Sequence, residues 1–259
     1  MTVEQTIQLT VVVLTKNSGN LLRRCLESAA WADELLVYDS GSSDETLTIA
    51  QELGARVVTD TDWQGFGRQR QKAQEHARGE WLFWLDSDEV ISPELRQSIE
   101  QVLRAPERGC AYRCARLTDY FGRFIRHSGW YPDQVVRLHR AADYGYNDAQ
   151  VHEAIDCPRD RVRELAGDLH HYTTESFAAY MTKSVRYADD WARDRYSRGK
   201  RVSVAGVLLR SFWMFVRKYL LQRGILDGKH GLLLAVQSTH YTFNKYFALW
   251  VLAQKQRQD

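Results

Sequence analysis

Residues 81–89 read WLFWLDSDE: five large apolar side chains that end abruptly in four polar ones, three of them acids. A short apolar run bounded in this way is a strand buried on both faces, as a parallel sheet requires. The same signal recurs upstream. Residues 9–15 (LTVVVLT), 34–38 (ELLVY) and 55–59 (ARVVT) are apolar and rich in β-branched side chains. Helix-period stretches separate them. Leu21, Leu22, Cys25, Leu26 and Ala29 recur at i, i+3, i+4 spacing; a second helix runs from a Ser43 cap to Leu53 and stops at Gly54; a third spans residues 67–77. Strand–helix–strand units with short connections predict right-handed crossovers and an α/β, Rossmann-like doubly wound sheet.

The rhythm changes after Asp88. Ser92-Pro93-Glu94 opens a helix with a cap followed by proline in the first turn, reaching about Arg104. Strand-like pieces follow near residues 111–117, 135–140 and 163–169, and helical stretches near 176–197, 202–222 and 229–254 close the chain. The expected division is a catalytic domain over residues 1–172, whose acceptor-side part begins near 105, and a helical extension over 173–259.

With 259 residues, 44% hydrophobic and 26% charged, the chain has globular composition. Lys plus Arg number 35 against 33 for Asp plus Glu, which excludes a polybasic nucleic-acid binder on bulk charge. The charge is unevenly spread, though: residues 1–150 hold 17 basic and 22 acidic side chains, whereas residues 195–259 hold 12 and 2. Four cysteines in a chain this long are read as free thiols of a reducing compartment. Neither a signal peptide nor an apolar run of about 18 residues is read from the sequence, so the expectation is a cytoplasmic protein or one lying on a membrane surface.

Three polar motifs fall at strand ends: Thr15-Lys16-Asn17, Asp39-Ser40-Gly41-Ser42 and Asp86-Ser87-Asp88-Glu89. In open α/β sheets ligands bind beyond the carboxyl ends of the strands. Asp86 and Asp88 stand at i and i+2; on an extended segment both would face one spot, where two carboxylates suit a hard divalent cation bridging substrate phosphates. Asp39, followed by small residues, suits either a nucleoside contact or an Asx-turn. Neither G-x-G-x-x-G nor a P-loop is present.

The set TKN (15–17), VYDSGSSDET (37–46), GFGRQRQKA (65–73), WLFWLDSDE (81–89), GWYPDQVVRLHR (129–140) and VHE (151–153) resembles family 2 glycosyltransferases of the GT-A fold. More narrowly, it resembles bacterial lipopolysaccharide core glycosyltransferases that add a β-linked glucose to the inner-core heptose. The resemblance extends to RGILDGKHGLLLA (223–235). It implies an inverting transfer from a UDP-sugar, with Thr15, Asn17 and Asp39 holding the nucleotide. Asp86 would lie by the ribose and metal, and Asp88 would bind Mg²⁺ or Mn²⁺ on the diphosphate. Ser18 stands where family members usually carry an acid. Arg68 and Arg70 are either diphosphate partners or a solvated cationic face.

Inversion requires a carboxylate to take the acceptor proton on the face opposite the leaving group. The two readings are Glu153, with His152 to orient it, and Asp133; the first is preferred. His127 and the His170-His171 pair are read as structural. The cationic, aromatic tail, with Trp213, Phe215, Tyr219, Phe243, Tyr246, Phe247 and Trp250 among clusters such as Arg198, Lys200 and Arg201, suits an anionic membrane surface. The expected partners are thus a UDP-sugar, a lipid-linked saccharide acceptor of the lipopolysaccharide inner core and the cytoplasmic face of the inner membrane, with no nucleic acid. A sugar nucleotidyltransferase and a non-catalytic carbohydrate- or membrane-binding module remain as alternatives.

Overall fold

The structure, a computed structural model, describes residues 7–149, 153–173 and 176–255. The chain forms two compact units: Met1–Arg116 with Asp133–Tyr172, and Leu117–Pro132 with Thr173–Asp259. The expected division at residue 172 placed residues 117–132 in the first unit. They group instead with the helices, because their hydrogen bonds go there.

In the first unit the expected alternation is present. The elements are β1 (Leu9–Thr15), α1 (Gly19–Ala29), β2 (Glu34–Asp39), α2 (Thr46–Glu52), β3 (Arg56–Thr59), α3 (Phe66–His76) and β4 (Trp81–Asp86). A three-residue strand follows, β5 (Glu89–Ile91), then α4 (Pro93–Arg104), β6 (Ala111–Thr118), β7 (Asp133–Arg140) and β8 (Val162–His171). The sheet order is β3-β2-β1-β4-β7-β6-β8-β5. β1 lies parallel to β2 and β4, and β2 to β3, whereas β7 runs antiparallel to β4 and β6, and β5 antiparallel to β8. The sheet is therefore mixed: a parallel front continued by antiparallel strands.

Strand alternation sorts the core to two faces. Val11, Val13, Leu35, Val37, Trp81, Phe83 and Leu85 pack with α1, α2 and α4 through residues such as Leu22, Leu26, Ile49, Leu95 and Ile99. Val12, Leu36, Tyr38, Leu82 and Trp84 turn the other way, onto Ala73 of α3, Tyr146 and Ile155. The cap of α4 is as read: the Ser92 hydroxyl accepts from the Leu95 amide at 3.2 Å, with Pro93 in the first turn. Gly67 in α3 admits the backbone of residues 147–149, since a Cβ there would meet the Asn147 carbonyl at 2.3 Å.

The second unit carries α5 (Phe177–Ser197), α6 (Val204–Val216) and α7 (Gly228–Lys255). Ser176 and Ser203 cap the first two helices, accepting from the amides of Ala179 and Gly206. Beyond Val216 the coil widens into a π-helical turn, Arg217–Leu221, followed by a 3-10 turn, Gly224–Asp227. Residues 117–132 are fastened to this connection: Ser128 N donates to Gln222 O at 2.8 Å, Lys218 Nζ donates to Ser128 O at 2.7 Å, and buried Asp227 accepts from the amides of Arg126 and His127. Among the described residues no helix is long and apolar enough to cross a membrane.

Candidate functional site

The winding of the first unit reverses between β1 and β4, with β2 and β3 lying beyond β1. The crevice past the carboxyl ends of these strands is where such sheets bind ligands. Thr15 pairs with Asp39 across β1 and β2, and Leu14 with Asp86 across β1 and β4, so the three strand-end motifs start level.

The Asp39 carboxylate is fully buried. One oxygen accepts from Thr15 Oγ1 at 3.0 Å and from the Ser42 hydroxyl; the other accepts from the Gly41 and Ser42 amides at 2.8 and 2.7 Å. Of its two sequence readings, this geometry is the Asx-turn: Asp39 and Thr15 shape the loop. Asn17, at φ 52°, ties that loop to the next, because its amide donates to Ser42 Oγ and its Oδ1 accepts from Ser43 N, both at 2.8 Å. Ser43 is thereby drawn away from the capping role expected of it; α2 starts after Glu45 without a side-chain cap. Ser18 lies 3.0 Å from the Ser87 hydroxyl, between the two acids of the D-x-D motif.

Asp86 and Asp88 do not share one spot. Ser87 and Asp88 form a turn between β4 and β5, which breaks the extended geometry on which the i, i+2 argument depended. Asp86 Oδ1 accepts from Arg70 Nη2 at 2.6 Å, and its Oδ2 from Arg137 Nη2 at 2.7 Å. Asp88 Oδ2 instead lies 3.3 Å from His171 Nε2. The pairing of β5 with β8, which sets Glu89 opposite His171, brings that histidine there.

A ladder of alternating charge runs through Asp86. Arg70 Nε reaches Glu153 at 3.3 Å; Arg137 Nη2 also donates to Glu89 Oε1 at 2.6 Å; Arg116 Nη1 lies 3.6 Å from Glu89 Oε1 and forks onto Asp133 Oδ2 at 2.8 and 2.6 Å through Nε and Nη2. The order is Glu153, Arg70, Asp86, Arg137, Glu89, Arg116, Asp133. Glu89 is completely buried and also accepts from the Asp86 amide at 2.9 Å. Burial works against ionisation of Asp86, but Arg137 and Arg70 outweigh it and hold the carboxyl well below the usual range. At Glu89 burial wins, with the Asp86 charge adding to it, and the group is raised. Arg70 is further held over the rings of Tyr146 and Trp84, with its carbon 4.7 and 5.5 Å from their centres. Among the described residues, its Nη1 and the Nε of Arg137 are buried without a hydrogen-bond partner.

These contacts decide which residues suit a divalent cation. Both Asp86 oxygens accept from arginine, Oδ1 from Arg70 and Oδ2 from Arg137. Asp88 is partly exposed beside the His171 imidazole, and a carboxylate with an imidazole neighbour suits Mg²⁺ or Mn²⁺ that keeps waters and substrate phosphates as its other ligands. No group of three or more potential ligands is assembled among the described residues.

The two carboxylates read as bases differ in setting. Glu153 is 17% exposed and leans on Arg70, whereas Asp133 is 44% exposed and heads β7 with its Oδ2 alone taken by Arg116. His152 lies outside the described residues. Arg68 is exposed and donates to Gln71, its solvated-face reading, while Arg70 is buried in the ladder. His127 belongs to the second unit, its Nδ1 3.0 Å from Asp227 Oδ1. Arg137, Glu89 and Arg116 carried no role in the sequence reading, and His171 was read there as structural. A charge between Val136 and Leu138 on a strand was the available signal for Arg137, since it demands a buried partner.

The model of the family described as "Glycosyl transferase family 2" matches residues 10–187. An uncharacterized glycosyltransferase of Rickettsia conorii is 25% identical over 96% of this chain and 91% of its own. The lipopolysaccharide core biosynthesis glycosyltransferase LpsC of Rhizobium meliloti is 25% identical over 92% and 90%. Among solved structures, Staphylococcus aureus TarS in complex with UDP-GlcNAc is similar at a TM-score of 0.49, with 17% identity over 97% of this chain and 92% of that one. A parallel front sheet with its polar motifs level at the strand ends is thus matched by a family assignment over most of its length, and the chain belongs to glycosyl transferase family 2 as a glycosyltransferase.

Proposed function

We propose that the enzyme is a metal-assisted, inverting hexosyltransferase that moves glucose from UDP-glucose onto an inner-core heptose of lipopolysaccharide, at the cytoplasmic face of the inner membrane. The observation that carries this reading is the Asp88–His171 pair standing beside a charge-locked Asp86 at the carboxyl end of β4. Full-length similarity to LpsC, a protein named for lipopolysaccharide core biosynthesis, supports the acceptor class.

In this reading the first unit supplies the donor site, and the second meets the membrane that carries the acceptor. Thr15, Asn17 and Asp39 fix the two loops against which the nucleoside lies. Asp88, with His171 as its neighbour, would hold Mg²⁺ or Mn²⁺, which when bound would offset charge building on the departing diphosphate. Asp86 and Arg70 keep the turn in place. Asp133, more exposed than Glu153, takes the proton from the acceptor hydroxyl as its oxygen bonds to the anomeric carbon. The bond from that carbon to the diphosphate breaks on the opposite face, and UDP leaves with the electron pair. Glu153 orients Arg70.

The test is incubation with UDP-glucose, Mg²⁺ or Mn²⁺ and a truncated core acceptor, read by mass spectrometry, with other UDP-hexoses in parallel. The expected result is one added hexose and one UDP released, both abolished in Asp88→Ala. Equal turnover by wild type and Asp88→Ala removes the proposed metal site, and preference for another donor replaces glucose.

A further inference from the structure

The helical unit leaves large apolar side chains in water. In α6, Leu208, Leu209, Phe212 and Trp213 are 55, 68, 68 and 56% exposed, while Val207 and Ser211 are buried. At about 100° per residue these four spread over an arc of roughly 140°, with Arg210 about 60° beyond Trp213. The connection to α7 adds Leu220, Leu221, Ile225 and Leu226, each more than half exposed.

The tail aromatics noted in the sequence divide accordingly. Tyr246 packs against Trp191 at 4.9 Å and lies under Arg210, and Phe215 and Tyr219 form a tilted pair at 5.4 Å, all half-buried. Those rings belong to the helical packing; Phe212 and Trp213 do not.

Lys200 and Arg201 just before α6, Arg210 within it, Arg217 and Arg223 in the connection and Lys229 at the start of α7 are all exposed. The described residues from 195 to 255 contain one acid, Asp227, which is buried and held by His127.

We infer that the α6 arc and the α6–α7 connection dock into the headgroup layer of an anionic bilayer, leucines and rings entering the acyl boundary while the cations meet lipid phosphates. This deepens the proposed function, which requires a membrane-borne acceptor, by assigning the surface that meets the lipid. An apolar face with a cationic border fits a negative surface. A second copy of the chain would set two cationic borders together without an acid to relieve them. Because no described helix can span the bilayer, the contact lies along its surface.

The full chain is sedimented with vesicles of equal parts phosphatidylglycerol and phosphatidylcholine, and with phosphatidylcholine alone. Wild type is expected to pellet with the mixed vesicles and to be released by high salt. Leu209→Ser with Phe212→Ser, exposed positions whose folding circular dichroism checks, lowers partitioning about ten-fold or more at unchanged charge. Arg217→Gln and Arg223→Gln lower it about five-fold each. UDP release with a detergent-dispersed acceptor stays at the wild-type level in all of them, which separates loss of docking from loss of transfer. Indifference to lipid charge, or equal binding by the serine double variant, overturns the inference. A lipid-free dimer that the double variant converts to monomer also overturns it, and gives the face to a second copy.

Discussion

The two units treat charge in opposite ways. In the first, three arginines and four carboxylates are threaded into one ladder, with Arg70, Arg137 and Glu89 almost wholly buried. In the second, cations stand exposed around aliphatic side chains, and the acid of the 195–255 stretch is buried. A buried ion network contributes little net stability, because desolvation offsets attraction, but it fixes geometry and is costly to interrupt. An exposed cationic surface fixes nothing by itself and serves recognition. The two proposals rest on this contrast: chemistry positioned in the first unit, and a negative surface met by the second.

Removing one cation from each side is the strongest way to break that contrast. Arg137→Ala leaves Asp86 and Glu89 without their shared partner, and unfolding by denaturant should show a loss of ~3–5 kcal/mol. Arg193→Ala in α5, exposed and paired with Asp189, should leave the unfolding midpoint unchanged. Equal effects would erase the distinction.

The next largest effect concerns the ends of the ladder. Asp133→Asn should lower kcat by about 10²–10⁴-fold with little change in KM for the donor. Glu153→Gln should cost about ten-fold or less, the scale of a supporting contact rather than of proton transfer. Reversed magnitudes would move the base to Glu153.

The smallest effect is acid sensitivity outside the ladder. Asp60 is pushed down to about 2, chiefly by its hydrogen bond with Lys72 and then by that with Tyr38. A depressed carboxyl contributes stability that is present above its unfolded value near pH ~4 and lost as the pH falls toward ~2. Asp60→Asn should lower stability modestly at neutral pH and leave it unchanged near pH ~2, so that the acid unfolding curve followed by circular dichroism flattens across that window.

The front of the molecule was legible because its code is local. Runs such as LTVVVLT and WLFWL announce strands, and polar residues directly after them mark the binding edge. What escaped was long-range. Glu89–Ile91 is too short to register as a strand, yet its pairing with β8 brings His171 to Asp88. The direction of Asp86 and Asp88 depends on a turn that the D-x-D spacing does not encode. Residues 117–132 join the helices through hydrogen bonds to Asp227 and Gln222, about a hundred positions away. The tail aromatics could not be divided into packed and exposed without the helix faces.

The central claim is that Asp88, assisted by His171, binds a divalent cation on a sugar nucleotide's diphosphate. Calorimetric titration of UDP into the full chain, with and without Mn²⁺, tests it most directly. Mn²⁺ is expected to tighten UDP binding about ten-fold or more in wild type, by much less in His171→Ala and not at all in Asp88→Asn. Equal tightening in wild type and Asp88→Asn, or none in either, would contradict it.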